Sequence, residues 1–164
     1  MNLIDKFNQL NKSEFISIFG NVFEKTEWIA ERCYESKPYN NLDELVLKMM
    51  KIFENIEKEK HLEILNSHPD LAVEKRLTEN SKNEQKNASL NQCNDKEFLE
   101  FKNLNEEYKK KFGFPFIIAV KGKNKEEILN SFRQRITNNI NLEFEEAKKQ
   151  VKKIANFRLG EIIK

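Results

Sequence analysis

Apolar residues return at helical spacing along most of the chain. Leu3, Ile4, Phe7 and Leu10, then Phe15, Ile16, Phe19 and Phe23, then Leu42, Leu45, Val46, Met49, Met50, Phe53 and Ile56 fall three and four positions apart, which puts each set on one helix face. The pattern predicts three core-facing helices there. Ser13 ahead of Glu14 and Asn41 ahead of Asp43 and Glu44 read as helix starts, and Lys37-Pro38-Tyr39-Asn40 reads as a break. A short helix follows over 57–66 and must stop near Ser67, because Pro69 disfavours helical geometry at His68. The periodicity then lapses into a polar connector, 69–80, whose Glu74, Lys75, Arg76 and Glu79 mark it as solvent-exposed. Further helices are expected over 81–92, 95–111, 125–137 and 142–163.

One stretch differs. Phe112-Gly113-Phe114-Pro115-Phe116-Ile117-Ile118-Ala119-Val120-Lys121-Gly122 is bracketed by glycines and interrupted by proline, and reads as a buried extended segment. The expected fold is therefore all-α: one domain over residues 1–164, a bundle of about eight helices with one short buried extended segment, without internal repeat or linker.

Composition narrows the partners. The 164 residues include only 4 Gly and 3 Pro, too few for a turn-dense sandwich or barrel. The 29 basic and 27 acidic side chains are interspersed, so no basic face for nucleic acid stands out. The longest apolar runs fall far short of a membrane span, and the N-terminus has no basic-then-apolar leader. Cys33 and Cys93 are far apart and have no metal-ligand spacing, which predicts free thiols, no metal and a reducing, cytoplasmic setting. His61, mid-helix among charges, reads as a solvated surface residue.

Three places break local rules. His68 before Pro69 is held extended at a helix end, with an imidazole that titrates near neutrality and suits proton transfer; a plain helix-terminal histidine is the alternative. Ser81-Lys82-Asn83-Glu84-Gln85 carries the Ser-x-x-Glu pattern of a capping box, which is compatible with a helix N-terminus that receives an anionic ligand. Gln85 adds an amide that donates and accepts at once. Arg158 falls in the apolar stripe of Phe144, Ala147, Val151, Ile154 and Ala155, so its guanidinium is aimed inward and needs an acidic partner, a ligand carboxylate or a route to solvent. Arg135 lies at the edge of its stripe and is expected to reach outward, in a structural role. The backbone of Phe116, Ile117, Ile118, Ala119 and Val120 offers N–H and C=O groups to a planar amide-bearing ligand, or forms an ordinary core strand.

His68-Pro69-Asp70-Leu71-Ala72, Ser81-x-x-Glu84-Gln85 with Ala88 and Leu90, Phe112-Gly113-Phe114-Pro115-Phe116-Ile117-Ile118-Ala119, and Glu145-x-Ala147 with Ile154 and Arg158-Leu159 occur in that order. Together they resemble the 2-oxo-4-hydroxy-4-carboxy-5-ureidoimidazoline (OHCU) decarboxylase family. The resemblance implies an all-α bundle, a homodimer without metal or organic cofactor, and decarboxylation of a small-molecule substrate from urate degradation to (S)-allantoin. It also implies His68 as catalytic acid, completed by Glu84 and Arg158. Pro69, Ser81, Lys82, Asn83, Gln85 and the 116–120 backbone are then the substrate contacts. A non-catalytic helical interaction module, or a same-fold enzyme acting on another ureido or heterocyclic acid, is the alternative.

Overall fold

Asparagine starts most of the helices. In the computed structural model the side chains of Asn2, Asn11, Asn41, Asn94 and Asn124 each accept a hydrogen bond from the backbone N–H three residues on. They cap α1 (Leu3–Gln9), α2 (Lys12–Phe19), α4 (Leu42–Glu54), α7 (Asp95–Phe112) and α8 (Lys125–Arg135). At Asn11, Asn94 and Asn124 the third residue is Glu14, Glu97 or Glu127, whose carboxylate returns the bond to the cap N–H. Each such cap contributes about 1 kcal/mol. Asn11, not Ser13, therefore begins the second helix.

The structure describes residues 1–72 and 78–164, so Val73, Glu74, Lys75 and Arg76 of the connector lie outside the described residues. The fold is all-α. Among the described residues there are nine α-helices, a 3₁₀ turn at Leu90–Gln92 and no strand. The helix that the hydrophobic spacing did not predict is α3 (Glu27–Glu35), whose buried face, Ile29, Ala30 and Cys33, spans little more than one turn. No described helix is long and apolar enough to cross a membrane.

The residues group into two compact units, 1–64 with 152–164 and 65–151. The first holds α1 to α4; α5 (Lys58–Ser67) and α9 (Ile140–Ile162) have residues in both. The first unit's core is aromatic: Phe7 meets Phe19 edge-on with ring centres 5.1 Å apart, and Phe23 stacks on Phe53 at 4.8 Å. His61 belongs to this core and not to the surface. Its Nε2–H donates to the Phe53 carbonyl at 2.7 Å and its ring edge meets Phe53, so the bond lets a polar ring take the place of an apolar one.

Cys33 is fully buried in the same unit, and burial pushes its thiol from the ordinary 9 up to about 12, against weaker pulls from Tyr39 and Lys48. The native state thus holds a proton that the unfolded chain releases near pH 9. This contribution to stability is whole below pH 9 and is lost as pH rises from 9 to 12. Cys33→Ala is expected to flatten the alkaline fall in unfolding free energy over that window. Urea titrations at several pH values measure it, and an unchanged slope would remove Cys33 as its source.

The second unit holds α6 (Glu79–Asn87), α7, α8 and the extended segment. α7 ends at Gly113, whose φ of 82° is open to glycine without penalty, and whose N–H closes the last turn on the Lys109 carbonyl. From there the chain runs non-helical and buried from Phe114 to Val120, as expected. Phe116 stacks on Phe132 of α8 with ring centres 3.9 Å apart, and Tyr108 meets both rings edge-on.

Candidate active site

His68 closes α5. Its backbone N–H still donates to the Leu65 carbonyl at 3.2 Å, and Pro69 then turns the chain out of the helix, leaving the imidazole buried. The next three residues are each held by a side chain. Gln85 Nε2 donates to the Asp70 carbonyl (3.2 Å) while its Oε1 accepts the Ala72 N–H (3.1 Å). Asn105 Nδ2 donates to the Leu71 carbonyl at 3.0 Å, and Lys109 Nζ reaches the Asp70 carboxylate at 2.6 Å. Ala72 sits at φ 54°, a left-handed conformation that costs a non-glycine residue roughly 1 kcal/mol, and these bonds hold it there. The loop that carries the imidazole is thereby fixed from α6 and α7.

α6 begins at Glu79, with Thr78 as N-cap accepting the Ser81 N–H at 3.2 Å. Ser81 is thus the third residue of the helix and not its cap, which corrects the Ser81–Glu84 capping box: a threonine three positions earlier takes the role. Ser81 and Gln85, one turn apart, are buried on one face; Glu84 is half-buried, Pro69 likewise, and Lys82 and Asn83 are exposed. Gln85 therefore grips the His68 loop, a use that the spacing alone did not reveal.

Two side chains hold the non-helical segment. Arg135 Nη1 donates to the Ile117 carbonyl at 2.6 Å and Gln150 Oε1 accepts the Ala119 N–H at 3.0 Å. Successive residues of an extended chain turn their N–H and C=O groups to opposite edges. Among the described residues the Ile118 N–H and C=O form no hydrogen bond.

Arg135 does not reach outward as expected. Its Nε and Nη2 bind the Glu143 carboxylate, Nη2 at 2.9 Å, and its guanidinium lies 4.4 Å from the centre of the Phe116 ring. Glu143 is fully buried at the start of α9 and also accepts from Asn138 Nδ2 (3.0 Å) and the Tyr108 hydroxyl. A buried carboxylate needs its cation, and that need overrides snorkelling. Burial, with the Glu143 carboxylate beside it, pushes the Tyr108 hydroxyl well above the ordinary phenol range, so Tyr108 stays protonated and donates.

Arg158 lies in the first unit, buried as its stripe predicts. Its Nη2 meets Glu24 Oε2 at 2.8 Å and its Nη1 donates to the Asn21 carbonyl at 2.7 Å. The acidic partner that its position demands is thus Glu24.

Asn105, Lys109, Glu143 and Gln150 are the polar residues that sequence reasoning passed over. Glu143 and Gln150 carried the same signal as Arg158, a polar residue in register with Ala147, Val151 and Ile154.

A family model for OHCU decarboxylase matches residues 8–160. The chain is 40% identical over 161 residues to a uric acid degradation bifunctional protein of Bacillus sp. (strain TB-90), covering 98% of this chain and 32% of the relative. It therefore spans about a third of the length of the bifunctional relatives it matches. It is 35% identical over 158 residues to a 2-oxo-4-hydroxy-4-carboxy-5-ureidoimidazoline decarboxylase of Haloferax volcanii, covering 96% of this chain and 94% of that one. Among solved structures, an (S)-allantoin synthase superposes with a TM-score of 0.80 at 27% identity, over 100% of this chain and 54% of that one.

Proposed function

The chain belongs to the OHCU decarboxylase family, and from that premise we propose that it decarboxylates 2-oxo-4-hydroxy-4-carboxy-5-ureidoimidazoline to (S)-allantoin in urate degradation, without a cofactor. The observation that carries the reading is the His68 loop. A buried imidazole on a loop bound at three consecutive residues, with Gln85 itself part of the expected site, is what proton delivery to one face of a small ring requires.

Loss of CO2 leaves an electron pair on the carbon that carried the carboxylate. That pair spreads toward a ring oxygen, and an N–H already oriented toward it stabilises the charge without reorganisation. The Ile118 N–H is suited to this, since the neighbouring Ala119 N–H is taken by Gln150. As the hydroxyl-bearing carbon becomes the ring carbonyl, the pair moves to the adjacent ureido-bearing carbon, and His68 protonates that carbon from one side and sets its configuration. Glu84, half-buried one turn into α6, and Ser81 beside it hold ureido and ring nitrogens. Gln85 acts chiefly by fixing the loop, Pro69 packs at its start, and the exposed Lys82 and Asn83 are outer contacts. The resemblance also gives Arg158 a part, as a planar fork for a carboxylate; within its own unit the guanidinium binds Glu24 and Asn21.

The single family match across 8–160 supports one functional domain, and the resemblance supports a cytoplasmic homodimer; light scattering of the purified protein tests the dimer. For the activity, urate is turned over by a uricase and a hydroxyisourate hydrolase with and without this protein, and circular dichroism is followed. Rapid appearance of optically active (S)-allantoin is expected. Racemic product at the blank rate would mean that the fold serves another ligand.

A further inference from the structure

We infer that Arg135 and Gln150 are positioning residues for the decarboxylation: from behind, they set the backbone of Ile117 and Ala119 so that the Ile118 peptide faces the substrate. The inference rests on the function proposed above.

An extended segment has two edges of N–H and C=O groups, and in a protein core both need partners. A neighbouring strand is the common solution, and among the described residues there is none. Here two side chains substitute for a strand along one edge, and each is itself fixed. Arg135, the last residue of α8, is clamped by Glu143 and lies against the Phe116 ring, so its Nη1 has one direction left, toward the Ile117 carbonyl. Gln150, buried on α9, has its amide oriented by donation from Nε2 to Glu146 at 2.8 Å, which leaves Oε1 aimed at the Ala119 N–H.

In an extended chain the Ile117 C=O and the Ala119 N–H share one edge, and the N–H and C=O of Ile118 between them turn to the other. Packing of Phe116 and Phe132 alone would hold the segment's depth but not its rotation about its own axis, and rotation decides where a peptide N–H points. The Arg135–Gln150 pair fixes that rotation. A hydrogen bond to a charge developing on the substrate depends steeply on direction, so a loosened Ile118 peptide weakens binding and blurs the face selection at once.

The test compares Gln150→Met, which keeps the length but removes the acceptor, with the swapped pair Glu146→Gln plus Gln150→Glu, which keeps an acceptor for Ala119 and restores the bond along the helix. KM, kcat and the enantiomeric excess of allantoin are read for each beside the wild-type protein. Gln150→Met is expected to raise KM roughly tenfold, as loss of a buried bond implies, and to lower the (S) excess; the swapped pair recovers most of both. Should Gln150→Met fail to fold, Arg135→Lys gives the same readout, since an ammonium can pair with Glu143 but cannot also reach the Ile117 carbonyl. Active wild-type protein with unchanged KM and enantiomeric excess in the variants would overturn this inference and leave the proposed function standing. Wild-type protein that yields only racemic product at the blank rate would overturn both.

Discussion

His68→Gln is expected to give a folded protein that no longer accelerates the decarboxylation and whose allantoin is racemic. Glutamine fills a similar volume and keeps polar atoms at the site, but it has no proton that titrates near neutrality. General acids of this kind contribute about 10²- to 10⁴-fold, so turnover should fall by that factor, toward the uncatalysed rate. Folding should survive. The loop is held through backbone groups of Asp70, Leu71 and Ala72, and the bond from the residue 68 N–H to the Leu65 carbonyl is indifferent to the side chain. Circular dichroism at the allantoin band and a thermal melt settle both halves in one preparation. Near wild-type rate with retained (S) excess would take His68 out of the mechanism.

The fold was legible because its helices announce themselves twice, through apolar spacing and through breaks at Lys37-Pro38 and His68-Pro69. α3 was missed because its buried stripe of Ile29, Ala30 and Cys33 is short, and the half-buried Trp28 and Tyr34 blur its edges. The starts were less well read than the spans. At Asn11, Asn94 and Asn124 the Asn-x-x-Glu pattern was in plain view, and asparagine is as good a cap as serine. Thr78 pre-empted Ser81 for the same reason: several residues of one short polar run can cap, and the one that lets the buried face begin in register wins.

At the site, residue identity was easier to read than partnership. His68, Gln85 and Arg158 stood out because each violates a local expectation, yet the sequence had no means to say that Gln85 would grip Asp70 and Ala72, or that Arg158 would find Glu24 134 positions away. Lysine and glutamate abound along this chain, and a pair is chosen by the fold. His61 and Arg135 show the opposite error. Charged neighbours made His61 look solvated and a place at the edge of its stripe made Arg135 look so, whereas a backbone carbonyl draws His61 inward and a buried carboxylate draws Arg135 inward.

Glu143→Ala should cause the largest loss of stability in the second unit. Its carboxylate, fully buried, receives the Arg135 guanidinium at Nε and Nη2, the Asn138 amide and the Tyr108 hydroxyl. Removing it strands a mostly buried cation and two neutral donors together. Breaking one side of a buried ion pair costs about 3–5 kcal/mol, a large share of the roughly 5–15 kcal/mol that holds a domain of this size. Urea denaturation measures the loss. The double variant Arg135→Met plus Glu143→Leu should be markedly less damaged than Glu143→Ala, because exchanging both charges for apolar groups leaves no stranded ion. A loss under about 1 kcal/mol in Glu143→Ala would show that water or a rearranged carboxylate replaces Glu143 at small cost. The double variant has a second use. It restores packing without restoring the bond to the Ile117 carbonyl, so a protein stable in urea but with the raised KM and lowered (S) excess of Gln150→Met would separate the network's contribution to the core from its hold on the Ile118 peptide.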